Sequence, residues 1–239
     1  MPKIGIIIDG NRIEVEQGTT ILDTAKERGI YIPTLCYHES LEPYAACRLC
    51  TVEVSRGGRS KMVTACNYPL REEIEVKTDS ERVRRIRRTI VELLLASCPN
   101  VKIIRDLAKE MDIEEPRFKK EENDCILCGL CVRACSEIVG VEAISFVGRG
   151  VDREVDTPFR VTSEACICCG SCAYVCPTGA IEIEDKDGVR EIKKFHASQP
   201  LERCKVCSNY FAPRVQIDWM TKKLNLPREN FEVCPTCKP

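Results

Sequence analysis

The chain has 239 residues, 18 of them cysteine, and its 36 basic and 37 acidic residues leave a net charge of −1. That balance argues against nucleic acid as the main partner. The cysteine count, the length and an opening of only a few apolar residues, Ile4-Gly5-Ile6-Ile7-Ile8, argue against a small secreted disulfide scaffold, a signal peptide and a membrane insertion there. Thiolates bound to metal in a reducing compartment, the cytoplasm, are the expectation. Aromatics are only 5% of the chain, so metal–thiolate bonds are expected to supply folding energy that modest apolar cores do not.

Ile4 to Ile8 is a β-branched run, Asp9-Gly10 is a hairpin turn signal, and Arg12 to Gln17 alternates apolar with polar. Gly18-Thr19-Thr20 precedes a helical pattern from Ile21 that ends at Gly29. Cys36, Cys47, Cys50 and Cys66 follow with gaps of 10, 2 and 15 residues. Between the last two, Thr51 to Val54 and Lys61 to Val63 read as a hairpin turning at Arg56-Gly57-Gly58-Arg59. Two strands, a helix, a cysteine loop and a second hairpin resemble a β-grasp ferredoxin. Three cysteines on one loop plus a distant fourth is the ligand arrangement of plant-type [2Fe–2S] proteins. The first gap is longer than theirs. In this it resembles the amino-terminal domain of the large iron–sulfur subunit of NADH dehydrogenases and the diaphorase subunits of NAD-linked hydrogenases and formate dehydrogenases. A four-thiolate zinc site is the alternative for these cysteines. His38 reads as an ordinary loop residue, because four cysteines complete the set.

Thr78-Asp79-Ser80 is an N-cap signal. Val83, Ile86, Ile90, Leu93 and Leu94 recur at helical spacing, with Arg84, Arg85, Arg87 and Arg88 read as a solvated opposite surface. Cys98-Pro99-Asn100 breaks this helix and Val101 to Met111 resumes one. Members of the NADH dehydrogenase family carry an extra cluster here on one His and three Cys. Only Cys98 is present, so that cluster is expected to be absent and Cys98 to be a small buried residue.

Two cysteine runs follow. They are Cys125-x2-Cys128-x2-Cys131-x3-Cys135 and Cys166-x2-Cys169-x2-Cys172-x3-Cys176-Pro177, the bacterial two-cluster ferredoxin spacing written twice. In that pattern three cysteines of a run hold one [4Fe–4S] cube and the fourth holds the other. The expected sets are Cys125, Cys128, Cys131 and Cys176 for one cube, and Cys166, Cys169, Cys172 and Cys135 for the second. Cys168 would break the spacing and is left free. Gly129 and Gly170 fall where the backbone wraps tightly. Gly140 to Phe146 and Gly179 to Ile183 are expected as matching short strands of a duplicated unit, with an insert from Val147 to Ser163.

In the tail, Cys204-x2-Cys207 and Cys234-x2-Cys237 are paired knuckles, with a helix expected from Asp218 to Leu226 and a linker near Lys193 to Pro200. Paired knuckles favour structural zinc, with a third [4Fe–4S] cluster as the alternative. The expected architecture is α+β. Residues 1–78 form a [2Fe–2S] β-grasp ferredoxin, 79–116 a helical linker, 117–195 a two-[4Fe–4S] ferredoxin and 196–239 a four-cysteine, zinc-ribbon-like module.

No G-x-G-x-x-G follows a strand and no catalytic constellation is present. The resemblance implies a non-catalytic electron-relay subunit of a flavin-based, NAD(P)-linked and electron-bifurcating oxidoreductase. Its partners would be flavin- and NAD(P)-binding subunits, and ferredoxin. A free-standing multi-cluster carrier and an iron–sulfur sensor or nucleic-acid binder are the rival readings.

Overall fold

The computed structural model describes residues 2–238. The chain divides into two compact units, Met1–Cys128 and Gly129–Pro239.

In the first unit, β1 (Lys3–Ile8) and β2 (Asn11–Glu16) form an antiparallel hairpin about Asp9-Gly10. Helix α1 (Ile21–Glu27) is capped by Thr20, whose Oγ1 accepts from the Asp23 amide at 3.1 Å. The second hairpin is β3 (Thr51–Arg56) with β4 (Arg59–Thr64), and β5 (Glu75–Lys77) completes a sheet ordered β2-β1-β5-β3-β4. The β1–β5 pair is parallel and the others are antiparallel. Alternation aims Ile6 and Ile8 inward and Ile7 outward. The inward side chains meet Ile21, Leu22 and Ala25 of α1, together with Val52, Val54 and Val76. This is the expected β-grasp arrangement.

Helices α2 (Glu81–Ser97) and α3 (Lys102–Glu110) follow. Ser80 caps α2, its Oγ accepting from the Val83 amide. The pair is not a bare linker. Val91, Leu95, Val101, Ile104 and Leu107 share an apolar core with Leu35 and Leu49, the residues that precede Cys36 and Cys50. The Glu121 and Asn123 amides donate back to the Ala96 and Ser97 carbonyls. These bonds tie residues 121–123 to α2 within the first unit.

The second unit opens with short α4 (Leu130–Arg133), which runs on into a π-helical turn over Ala134–Val139. β6 (Ser145–Val147) pairs with β7 (Glu154–Asp156), and α5 (Ser171–Tyr174) follows the second cysteine run. β8 (Glu184–Lys186), β9 (Val189–Ile192), β10 (Ala197–Arg203) and β11 (Tyr210–Pro213) make an antiparallel sheet ordered β11-β10-β9-β8, and α6 spans Arg214–Leu224.

Three expectations are corrected here. The duplicated strands are not matched, because β6 pairs with the insert strand β7 while residues 180–183 lie outside any strand. The linker near Lys193 to Pro200 is instead a tight connection between β9 and β10, Ala197 facing Ile192, so the tail is continuous with the sheet before it. The tail helix starts at Arg214, directly after Pro213, and stops at Leu224 because Asn225 takes a left-handed conformation with φ 50°.

Candidate metal centres

Cys36, Cys47 and Cys50 lie on the loop between α1 and β3, and Cys66 sits in the turn that follows β4. Pairing of Thr51 with Thr64 sets Cys50 beside Cys66, and the Ala65 amide donates to the Cys50 carbonyl at 3.1 Å. The loop winds tightly through Ala45 and Arg48, both left-handed at φ 57° and 60°. The Cys47 amide donates to Cys36 Sγ at 3.4 Å. Cys36, Cys50 and Cys66 are buried.

The four thiols fall into two close pairs, Cys36 with Cys47 and Cys50 with Cys66. Within each pair one sulfur keeps the proton and the other is favoured as thiolate. The hydrogen bond from Cys36 brings Cys47 down to about 6, and that from Cys66 brings Cys50 down to about 7. Their donor partners are pushed up, first by the same bonds and then by burial. His38 stays out of the set, its Nδ1 accepting from the Ser40 amide at 3.2 Å.

Cys125 and Cys128 close the first unit, while Cys131, Cys135 and the whole second run belong to the second. Each C-x2-C loop has the same backbone. Leu127 and Cys168 are left-handed at φ 52° and 49°, Gly129 and Gly170 at φ 77° and 82°, and a short helix follows each glycine. Cys168 is therefore the counterpart of Leu127, an inward-turned residue at a fixed position of the loop. It is buried and hydrogen-bonded to Cys166, which that bond brings down to about 6.

Cys135 accepts from the Ala143 amide at 3.3 Å, and it lies close enough to Cys166 and Cys169 for their charges to raise its pKa, after the larger effect of burial. Cys172 is likewise raised, first by burial and then by Cys169, Cys131 and Cys166. The last cysteine of the first run thus stands with the second run. Arg190 is also near, and it is held by Asp185 at 2.7 and 2.8 Å.

In the tail, the sulfurs of Cys204, Cys207, Cys234 and Cys237 all lie within 4.8 Å of one another, with Cys207 and Cys234 3.8 Å apart. Amides of Cys234 and Val206 donate to Cys204 Sγ at 3.3 and 3.4 Å. These backbone bonds, that from Cys234 first, bring Cys204 down to about 6. The knuckles are held by strand and turn. Cys204 follows the end of β10, and the Lys205 amide reaches the Glu232 carbonyl at 3.0 Å. Farther up the same strand, Gln199 Nε2 donates to the Cys166 carbonyl at 3.2 Å.

Among the charged residues that were not legible as buried, two lie on α2. Arg87 is only 6% exposed, contrary to the solvated arginine face expected on α2, and its Nη2 donates to the Thr51 carbonyl at 2.9 Å. The signal was its place four residues from both Val83 and Val91, on the buried ridge. Glu92 is also buried and accepts from Arg117 Nε at 3.0 Å. Among the described residues no helix is long and apolar enough to cross a membrane.

The fold and these thiolate sets define an iron–sulfur electron-transfer protein. A 2Fe-2S iron–sulfur cluster binding domain matches residues 2–81 and a 4Fe-4S dicluster domain matches residues 124–180. The chain belongs to the family of iron–sulfur electron-transfer subunits that takes in the amino-terminal part of the NADH dehydrogenase large iron–sulfur subunit and the corresponding subunits of NAD(P)-linked hydrogenases. It is 37% identical over 207 residues to the NADPH-Fe(3+) oxidoreductase subunit alpha of Geobacter sulfurreducens, covering 74% of this chain and 24% of that protein. It is 34% identical over 213 residues to the NADP-reducing hydrogenase subunit HndD of Solidesulfovibrio fructosivorans, covering 76% of this chain and 36% of that protein. A chain in the crystal structure of an NAD+-reducing [NiFe]-hydrogenase in the H2-reduced state superposes with a TM-score of 0.57 at 31% identity, covering 64% of this chain and 74% of that one. The chain thus spans only about a quarter to a third of the length of these two curated relatives.

Proposed function

We propose that this chain is the electron-relay subunit of a flavin-based, electron-bifurcating NAD(P)-linked oxidoreductase. It would carry one [2Fe–2S] and two [4Fe–4S] clusters as relay sites and a structural zinc in its tail. Such clusters take up and release single electrons, at potentials set by cluster type, burial and hydrogen bonds to sulfur.

The observation that carries the reading is the loop geometry that sets Cys36 beside Cys47 and Cys50 beside Cys66, with the Cys47 amide donating to Cys36 Sγ at 3.4 Å and the Ala65 amide to the Cys50 carbonyl at 3.1 Å, inside the residues 2–81 that match a 2Fe-2S cluster binding domain. Two pairs suit a two-iron centre, in which each iron takes two thiolates. The placement of Cys135 with Cys166, Cys169 and Cys172 supports the crossed ligand set of a two-cluster ferredoxin. For the other cube, Cys125, Cys128, Cys131 and Cys176 follow from the spacing of the runs. In the tail, sulfurs this close together suit a single ion. The corner thiolates of a four-iron cube stand farther apart, because the cube lies between them.

The chain's own residues do three things in this role. They bury the first sulfur set behind Leu35, Leu49 and the β-grasp core, they aim amides at sulfur, and they keep cations near the thiolates. Val151, Phe159 and Tyr174 of the second unit are 98%, 92% and 85% exposed, which fits a subunit covered by partners. Those partners would be flavin- and NAD(P)-binding subunits, with ferredoxin as acceptor or donor. Oxidisable thiolates in such number fit a reducing compartment such as the cytoplasm.

The test is anaerobic purification of the chain with whatever co-purifies. About ten iron and one zinc per chain are expected, with a flavoprotein in the complex that reduces the clusters on addition of NADH or NADPH. Zinc throughout with no acid-labile sulfide, or a monomer that no flavoprotein reduces, would refute it.

A further inference from the structure

We infer that Arg87 is the buried counter-charge of the [2Fe–2S] site in the first unit, and that its guanidinium raises that centre's reduction potential. The inference rests on the reading that Cys36, Cys47, Cys50 and Cys66 hold that centre.

The five arginines of α2 have different fates. Arg84 pairs with Asp79 at 2.9 Å, and Arg88 donates to the carbonyls of Met111 and Asp112. Arg87 alone of the two central residues in this run turns onto the ridge between Val83 and Val91, both of them fully buried. It reaches the sheet, where Nη2 donates to the carbonyl of Thr51, the residue directly after Cys50. Its Nε is buried with no hydrogen-bond partner. No carboxylate forms an ion pair with it among the described residues.

A buried cation without a paired carboxylate is costly, and such groups persist where another negative charge answers them. The acidic groups near Arg87 are Asp79, Cys50, Tyr31 and Asp9, in that order, and burial pushes the Tyr31 phenol up so that it stays neutral. Asp79 is already taken by Arg84, and Asp9 by Thr78, whose amide and hydroxyl donate to it at 2.8 and 2.6 Å. Cys50 is the remaining ionic partner. Burial lowers the pKa of Arg87, yet a guanidinium stays protonated in proteins. Arg190 near the second run is a contrast, because Asp185 neutralises it on the spot. A centre held by four thiolates is anionic and becomes more so on gaining an electron, so a nearby fixed cation favours the reduced form.

The experiment is an EPR-monitored redox titration of the anaerobically purified protein in its complex, comparing wild type with Arg87→Gln and Arg87→Lys. The Gln variant is expected to make reduction of the [2Fe–2S] centre about tenfold less favourable, which is 59 mV downward for one electron. The Lys variant keeps the charge and is expected to stay within about threefold of wild type, and the [4Fe–4S] signals are expected not to move in either. A Gln variant with an intact [2Fe–2S] signal and a wild-type potential overturns the inference. So do equal shifts in Gln and Lys, which would assign the effect to the Thr51 hydrogen bond. Should the Gln protein assemble no centre, the Lys variant decides against the same threefold bound. A wild-type protein with no [2Fe–2S] signal would instead refute the parent reading.

Discussion

Replacing Cys207 by serine removes one of the four tail sulfurs that would hold the proposed zinc. Cys207 is exposed while Cys204 and Cys234 are buried, so Cys207→Ser removes a sulfur and little packing. Four sulfurs about 2.3 Å from one zinc ion stand about 3.8 Å apart when tetrahedral. The 3.8 Å between Cys207 and Cys234 already matches that edge, and the 4.8 Å limit on the others needs only a small contraction. Structural zinc in four-ligand sites contributes about 10–16 kcal/mol, so an even share is about 2.5–4 kcal/mol per thiolate, roughly a hundred- to a thousandfold in affinity. The assay is anaerobic competition for zinc against a chromophoric chelator, with iron and sulfide counted in parallel. The variant is expected to lose zinc at a chelator concentration that leaves the wild type loaded. An unchanged affinity, or a wild-type tail that holds iron and sulfide, would refute the geometric argument.

Ile104 is fully buried between α2 and α3, so Ile104→Ala is expected to cost about 2–5 kcal/mol and lower the thermal midpoint by roughly 4–20 °C. A fall below about 2 °C would mean that this core contributes little. Gly170 is left-handed at φ +82°, and a Cβ there would stand 2.7 Å from Ile183 Cδ1. Gly170→Ala is thus expected to strain the second C-x2-C loop by about 1–2 kcal/mol and to reduce iron per chain, a result checked by iron analysis and thermal melts. Hydrogen bonds from Arg117 hold the Glu92 carboxyl below its usual range. Because the folded value is depressed, the stabilisation is full above the unfolded value of about 4.3 and is lost as pH falls through the folded one. Glu92→Gln should remove that dependence, so the wild-type excess of amide-exchange protection in α2 should shrink on acidification. A constant excess would show that the ionised carboxylate is not what matters.

The parts of the fold governed by local chemistry were readable from sequence. Asp9-Gly10 and Gly57-Gly58 turn the chain where left-handed backbone is needed, and both hairpins form there. Thr20 and Ser80 cap the helices that follow them. The cysteine spacings carry the sites because ligand geometry constrains the gaps directly. What was missed depends on distant partners. β8 and β9 are short polar strands whose existence rests on the ladder with β10. Residues 180–183 have strand-like composition but no partner strand. Arg87 was counted as one charge in a run, whereas its position on the helix ridge decides its burial. Paired positions within each thiol set likewise follow from the loop path and not from the gap lengths.

Strand β10 touches both cysteine-rich regions of the second unit. Gln199 on it is bonded to Cys166, its far end leads into Cys204, and β9 lies along its side. The tail is consequently a splint and not a pendant. Oxidation or chelation at the knuckles would loosen the strand whose Gln199 holds the Cys166 carbonyl, so damage at the tail would be felt at the second cysteine run. Trimming the chain before Ala197 would also leave β9 with a bare edge, open to pairing with other chains.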